Sequence, residues 1–176
     1  MKIVRSLRLP NCVRMTMSQK LISEAKTRQE TDRKLLQRLK KKNPREVDTA
    51  FHQAHTEVFA CTDCLQCANC CTTTGPLFTP KDIDRISKHL RIKSSDFEAK
   101  YLRVDEDNDQ VLQQVPCAFL GTDNYCSIYD VRPKACRDYP HTDREKQHQL
   151  FSLTLKNVAV CPAVAMILDR VEANMK

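Results

Sequence analysis

Hydrophobic side chains recur every three or four residues along four segments of the chain. This spacing places them on one face of an α-helix, so each segment is predicted to form an amphipathic helix. The apolar stripe is thin in the first segment, where charged residues dominate. The predicted helices cover residues 18–42, residues 45–59, a stretch from Pro80 through Leu90, and residues 161–175.

Polar residues mark where two of the helices begin. Thr79 is followed by Pro80 and, two positions later, by Asp82. A threonine N-cap, a proline at the first helical position and an acidic third position are together typical of a helix start. Ser94 or Ser95 is expected to cap a shorter helix that follows.

A small hairpin interrupts the helical pattern. Residues 103–105 and 110–112 flank an acidic turn, and this arrangement predicts two short antiparallel strands. Residues 130–137 predict a short helical turn that ends before Pro140. We therefore expect a fold that is mainly α with a short β-hairpin.

The distribution of charge divides the chain near residue 45. Residues 1–45 hold fourteen Lys and Arg against three Asp and Glu, whereas residues 46–176 hold fifteen against nineteen. We expect a basic, partly helical N-terminal arm at 1–45 and a second domain at 46–176. The arm could bind a protein partner, but we do not expect nucleic acid, because no aromatic residue lies among the basic ones. Met17 is a candidate translation start, which would remove residues 1–16.

Five cysteines fall within eleven residues, at Cys61, Cys64, Cys67, Cys70 and Cys71. A three-residue pitch allows neighbouring thiolates to converge on one centre, since a helical turn brings the side chains of residues i and i+3 together. An apolar core does not need so many thiols in one polar stretch. The run therefore predicts a bound metal ion and a small, metal-stapled, cysteine-rich domain.

Composition and hydropathy limit the compartment in which such a protein would work. No apolar run follows the basic N-terminus, as a secretory signal requires, and no segment reaches the roughly 20 apolar residues of a transmembrane helix. We therefore expect a cytoplasmic protein without a membrane partner, in which clustered thiols are metal ligands rather than disulfides. Soft thiolates suit both zinc and iron–sulfur clusters, so the ligand type alone does not identify the metal.

Two cysteine blocks together resemble the signature of the YkgJ-type cysteine-cluster family. The first is C-x2-C-x2-C-C at 64–71, and the second is the series P-C-x-F-L, C-x-I-Y and R-P-x-x-C-R-x-Y-P within 116–140. Both blocks occur in order across roughly residues 58–165, with a further cysteine after them. The resemblance implies a domain that chelates zinc or iron.

The resemblance also implies eight thiolate ligands. They are Cys64, Cys67, Cys70, Cys71, Cys117, Cys126, Cys136 and Cys161. Cys12 and Cys61 fall outside the pattern, and we expect Cys61 to be a spare thiol. Eight thiolates exceed the four that one tetrahedral zinc requires, which favours an iron–sulfur centre over zinc.

The family includes a flagellin lysine N-methylase, so a metal-cluster-dependent protein lysine N-methyltransferase is the alternative to a metal-binding protein. The chain has only two glycines and no glycine-rich nucleotide loop. A methylase would have to hold its cofactor at the metal cluster, with Arg132 and Arg137 binding a carboxylate or offsetting cluster charge. Otherwise these arginines are expected to pair with Asp130 or Asp138 on a short helix.

Overall fold

The computed structural model describes residues 23–25 and 27–176. Cys12, the candidate start at Met17 and the first part of the predicted helix at 18–42 lie outside this range. The described chain is mainly α-helical and contains a two-stranded antiparallel hairpin, which confirms the predicted fold class. It forms two compact units, which we call unit 1 (the described residues up to 64, and 141–176) and unit 2 (65–140).

Most of the elements are joined by short connections, and the longest described connection runs from residue 113 to residue 128. In chain order they are α1 (Gln29–Leu39), α2 (Pro44–Phe59), α3 (Cys64–Cys67), α4 (Asn69–Thr73), α5 (Pro80–Leu90), α6 (Ser94–Tyr101), β1 (Leu102–Val104), β2 (Gln110–Leu112), a 3-10 turn (Tyr129–Val131), α7 (Lys134–Asp138), α8 (Gln147–Val158) and α9 (Pro162–Asn174). The predicted domain boundary at residue 45 falls within α2 and stays a prediction.

Helix α2 organises unit 1. Its start is encoded locally, because the Asn43 side chain accepts the backbone N–H of Arg45 at 3.0 Å and Pro44 occupies the first helical position. Its predicted apolar face is buried, and α9 packs along it. The core of unit 1 comprises Ala25, Leu35, Leu36, Leu39, Val47, Ala50, Phe51, Ala54, Val58, Phe151, Val158, Ala163, Val164, Ala165, Ile167, Leu168 and Val171.

Helix α8 was not predicted from the sequence. The residue before it, Lys146, has a positive φ of 61° and no capping side chain of its own. The carboxylate of Asp48 on α2 instead accepts the backbone N–H groups of Lys146 at 2.8 Å and Gln147 at 2.9 Å. A helix cap supplied from 98 positions away satisfies donors that would otherwise be unpaired.

Unit 2 contains the helices α4 to α7, the hairpin and the 3-10 turn. The predicted start of α5 is confirmed, since Thr79 and Asp82 form a reciprocal capping box. The predicted cap of α6 at Ser94 or Ser95 is wrong, because Lys93 takes the N-cap position and Ser94 is already helical. The hairpin pairs Leu102 with Leu112. The core of unit 2 comprises Phe78, Ile83, Ile86, Phe97, Leu102, Leu112, Phe119 and Ile128.

No helix within the described ranges is both long and apolar enough to cross a bilayer.

Candidate metal centre

The cysteine run folds as two short helical turns. Helix α3 carries Cys67 at its end, and α4 carries Cys70 and Cys71. Between them, Ala68 adopts a left-handed conformation with φ at 46°, and its side chain is buried. The change of direction at Ala68 gives α4 its own orientation. The Sγ atoms of Cys70 and Cys71 lie 3.9 Å apart.

Cys117 and Cys126 open two equivalent turns in the second block. The backbone N–H of Leu120 donates to the carbonyl of Cys117 at 3.0 Å, and that of Tyr129 donates to the carbonyl of Cys126 at 3.1 Å. Leu120 and Cys126 also form an antiparallel bridge, which places the two turns side by side. The chain therefore presents two thiols from a pair of adjacent, matching turns.

Backbone hydrogen bonding also acts on the thiol of each turn. Against the larger effect of burial, backbone hydrogen bonding from Phe119 and Leu120 lowers the pKa of Cys117, and that from Ile128 lowers the pKa of Cys126. Such hydrogen bonds favour the thiolate form of cysteine. The side chains of Phe119 and Ile128 are buried in the core of unit 2. The same two residues thus fix the core and favour the thiolate forms.

Backbone contacts bring Cys71 to this pair and place Cys136 on a short helix. The N–H of Cys117 donates to the carbonyl of Cys71 at 2.8 Å. Cys136 is the third residue of α7, and its N–H donates to the carbonyl of Pro133 at 3.0 Å. Cys71, Cys117, Cys126 and Cys136, which we call the thiol cluster, all belong to unit 2.

The members of the thiol cluster interact electrostatically. Burial and, to a smaller extent, charge on the other three thiols together raise the pKa of Cys136 to about 12, while Arg132 opposes the rise. Burial likewise raises the pKa values of Cys117 and Cys126, and charge on Cys71 adds to both. A positive ion among these sulfurs would lower the pKa values of the thiols, because it stabilises their thiolate forms.

Cys71 differs from the other members. A hydrogen bond from the neighbouring Cys70 thiol lowers its pKa to about 7, against the opposing effect of burial. Near neutral pH, Cys71 is therefore the member that most readily supplies a thiolate.

The two predicted cofactor-binding arginines contact their own segment. The Arg132 guanidinium lies 3.9 Å from the ring centroid of Tyr129 and donates to the carbonyl of Tyr129 at 2.7 Å. Arg137 donates to the carbonyl of Arg132 at 2.9 Å. Asp138 forms an ion pair with Lys134. These contacts orient positive charge beside the cysteine turns.

The remaining predicted ligands are distributed over both units. Cys67 and Cys70 belong to unit 2, whereas Cys64 and Cys161 belong to unit 1. None of the eight predicted ligands is disulfide-bonded. Cys61 is disulfide-bonded, which corrects the expectation of a spare thiol.

The donor set of the thiol cluster suits a soft metal. Across the described residues, no three His, Cys, Asp or Glu side chains are already arranged to hold an ion. Charge on Cys71 raises the pKa values of Cys117, Cys126 and Cys136, and four soft thiols in one unit nevertheless suit the chemistry of a thiolate site for zinc or iron. Cys71, Cys117, Cys126 and Cys136 are the residues that would hold the metal.

The comparison with protein families agrees with this chemistry. Residues 63–156 match the model of the CxxCxxCC family, described as a "putative zinc- or iron-chelating domain". No curated protein and no solved structure shows significant similarity to the chain. The match covers more than half of the chain and includes seven of the eight predicted ligands. The chain therefore belongs to the CxxCxxCC family of zinc- or iron-chelating domains.

Proposed function

We propose that the protein binds one metal ion through the four thiolates of the thiol cluster and that this ion stabilises unit 2. The observation that carries the proposal is the pair of adjacent turns at Cys117 and Cys126, which the bridge between Leu120 and Cys126 joins and to which Cys71 is hydrogen-bonded. Cys67 and Cys70 are further candidate ligands from the same unit, and Cys64 and Cys161 complete the predicted set.

Zinc is the metal that we favour. Four thiolates complete a closed tetrahedral zinc site, which is the usual form of a structural site. Four thiolates also suffice for an iron–sulfur cluster, so the preference for zinc depends on a structural role for the site. Phe119 and Ile128 also connect the cysteine turns to the apolar core, and this connection favours a structural role for the ion.

A metal-binding function has more support than methyl transfer. The guanidinium of Arg132 is engaged with the ring and carbonyl of Tyr129, and its charge lowers the pKa values of Cys126 and Cys136. Offsetting thiolate charge accounts for this arrangement.

The reducing cytoplasm is the compartment that we propose. Clustered thiols persist most readily where glutathione and thioredoxin keep cysteine reduced, and among the described cysteines only Cys61 is disulfide-bonded. The basic arm gives less support to a protein partner. Arg28 pairs with Asp169 at 2.6 Å, and Arg38 pairs with Glu172. Part of the positive charge of the arm is therefore matched within the chain.

Elemental analysis of protein purified without oxygen tests the metal proposal. We expect about one zinc per chain, no visible colour, and loss of the zinc when Cys117 and Cys126 are both replaced by serine. A brown protein with about four irons per chain would show that the bound group is an iron–sulfur cluster and not zinc. Protein that takes up neither zinc nor cobalt(II) would overturn the proposed function.

A further inference from the structure

We infer that Asp82 is a positioning residue that holds the segment carrying Cys136, an inference that rests on the proposed metal site. Asp82 lies in the first turn of α5, and its side chain is 1% exposed. It is 54 positions from Cys136 in the sequence. Its contacts nevertheless extend to the residues that begin α7.

The carboxylate of Asp82 has two separate roles. One oxygen, Oδ2, accepts the N–H of Thr79 at 3.0 Å and the hydroxyl of Thr79 at 2.6 Å, which completes the capping box of α5. The other oxygen, Oδ1, accepts the backbone N–H of Lys134 at 3.1 Å. Lys134 is the first residue of α7. The cap of one helix therefore also caps the helix that carries Cys136.

Arg85 extends the same connection. Its Nη2 donates to Asp82 Oδ1 at 2.6 Å and to the carbonyl of Arg132 at 2.9 Å. Its Nε and Nη2 also lie 3.3 Å from the carbonyl of Val131. Asp82 and Arg85 together bind three backbone groups just before or at the start of α7. A planar guanidinium is suited to such convergent acceptors.

Helix α7 depends on this support. It has five residues, and isolated helices of that length are not stable in water. Satisfying the N–H of Lys134 and fixing the carbonyls before it hold the first turn in place, and Cys136 lies in that turn. Loss of the carboxylate would therefore release the Cys136 thiol from its position beside the other members of the thiol cluster.

Asp82→Asn is the first test variant, and Asp32→Asn is its matched control. An asparagine at 82 keeps the shape of the side chain but turns an N–H₂ donor toward either Thr79 or Lys134, both of which are donors. Asp32 is also 1% exposed and pairs with an arginine, Arg28, at 2.8 Å, but it lies in unit 1. The two variants therefore remove equally buried carboxylates.

Two measurements are made on each variant. The first is cobalt(II) and zinc affinity, by competition with a chromophoric chelator. The second is the rate of Cys136 alkylation relative to Cys117 in reduced, metal-free protein, by mass spectrometry. We expect Asp82→Asn to weaken metal binding by about 10- to 100-fold, as loss of an outer-shell partner does, and to speed alkylation of Cys136 selectively. Asp32→Asn should change neither value.

The outcomes separate the inference from the proposed function. Equal effects of the two variants, or unchanged relative alkylation of Cys136 in Asp82→Asn, would overturn the positioning role. Wild-type protein that binds no metal, together with selective alkylation of Cys136 in the variant, would overturn the function and retain the positioning. Arg85→Lys leaves Asp82 intact and should also weaken metal binding and speed alkylation of Cys136. This second variant tests the inference even if the Asp82→Asn protein folds poorly.

Discussion

Replacing Cys126 by serine should remove most of the stability that metal confers. Cys126 is partly buried in a turn of the thiol cluster, and backbone hydrogen bonding from Ile128 lowers the pKa of its thiol. Serine fits the turn but supplies no thiolate, which is the form that binds the metal. The Tyr129 N–H donates to the backbone carbonyl of Cys126 at 3.1 Å and not to its side chain, so this hydrogen bond of the turn is kept in the variant and the substitution should affect the ion more than the fold.

The size of the effect follows from linkage between binding and folding. At free zinc 1,000-fold above the Kd, binding stabilises the wild-type protein by about 4.1 kcal/mol. If the variant binds about 100-fold more weakly, the same zinc stabilises it by about 1.4 kcal/mol. The difference, about 2.7 kcal/mol, corresponds to roughly 5–11 °C in Tm for a chain of this size.

The assay compares Tm in buffered zinc with Tm in excess chelator for each protein. We call the difference between these two Tm values the zinc increment. Any loss of stability that serine causes without metal lowers both Tm values equally and so does not change the zinc increment. Cys61→Ser is the control: it lies in the same cysteine run but is disulfide-bonded. Its Tm should change equally in zinc and in chelator. A full zinc increment in Cys126→Ser, or an equal loss in Cys61→Ser, would refute the assignment of Cys126 as a ligand.

Three further predictions address the fold and the site separately. Asp48→Ala should lower the free energy of unfolding by about 1 kcal/mol, measured in urea, because it removes the cap of α8, and its zinc increment should equal that of the wild type. Ile167→Ala, at a fully buried core position of unit 1, should cost about 2–5 kcal/mol in the same assay, and a cost below 1 kcal/mol would contradict its place in the core. Burial and charge on the other three thiols together raise the pKa of Cys136 to about 12, so this thiol must release its proton when metal binds. Zinc affinity should therefore fall as pH falls from 8 to 6 in chelator competition, and a constant affinity would argue against thiolate ligands.

Local signals account for the elements that were predicted correctly. The apolar face of α2 and the capping box of α5 each depend on residues within one or two turns of one another. Helix α8 lacked such a signal, because Asp48, its cap, lies in another helix and Lys146 precedes it with a positive φ. Tertiary hydrogen bonds of this kind are not visible in a local sequence pattern.

The sequence also limited what could be said of the site. The spacing of Cys64, Cys67, Cys70 and Cys71 indicates that thiols gather, but it does not show which of them meet the later cysteines. The structure divides this run between the units after Cys64, and it joins Cys71 to Cys117 through a backbone hydrogen bond. Asp82 carried only the signal of a helix cap, so its contact with Lys134 could not be anticipated.

The apolar cores of the two units differ in size, and the thiol cluster lies in the unit with the smaller one. In the described part of the chain, the core of unit 1 has seventeen buried residues and that of unit 2 has eight. A domain with a small core is only marginally stable, and metal ligation is one of the ways in which small domains gain additional folding stability. Phe119 and Ile128, which belong to the smaller core, also lower the pKa values of Cys117 and Cys126 through backbone hydrogen bonding. A metal bound by those thiols would therefore fix the positions of core side chains as well as its own ligands, and so we expect its main effect to be on the folding of unit 2.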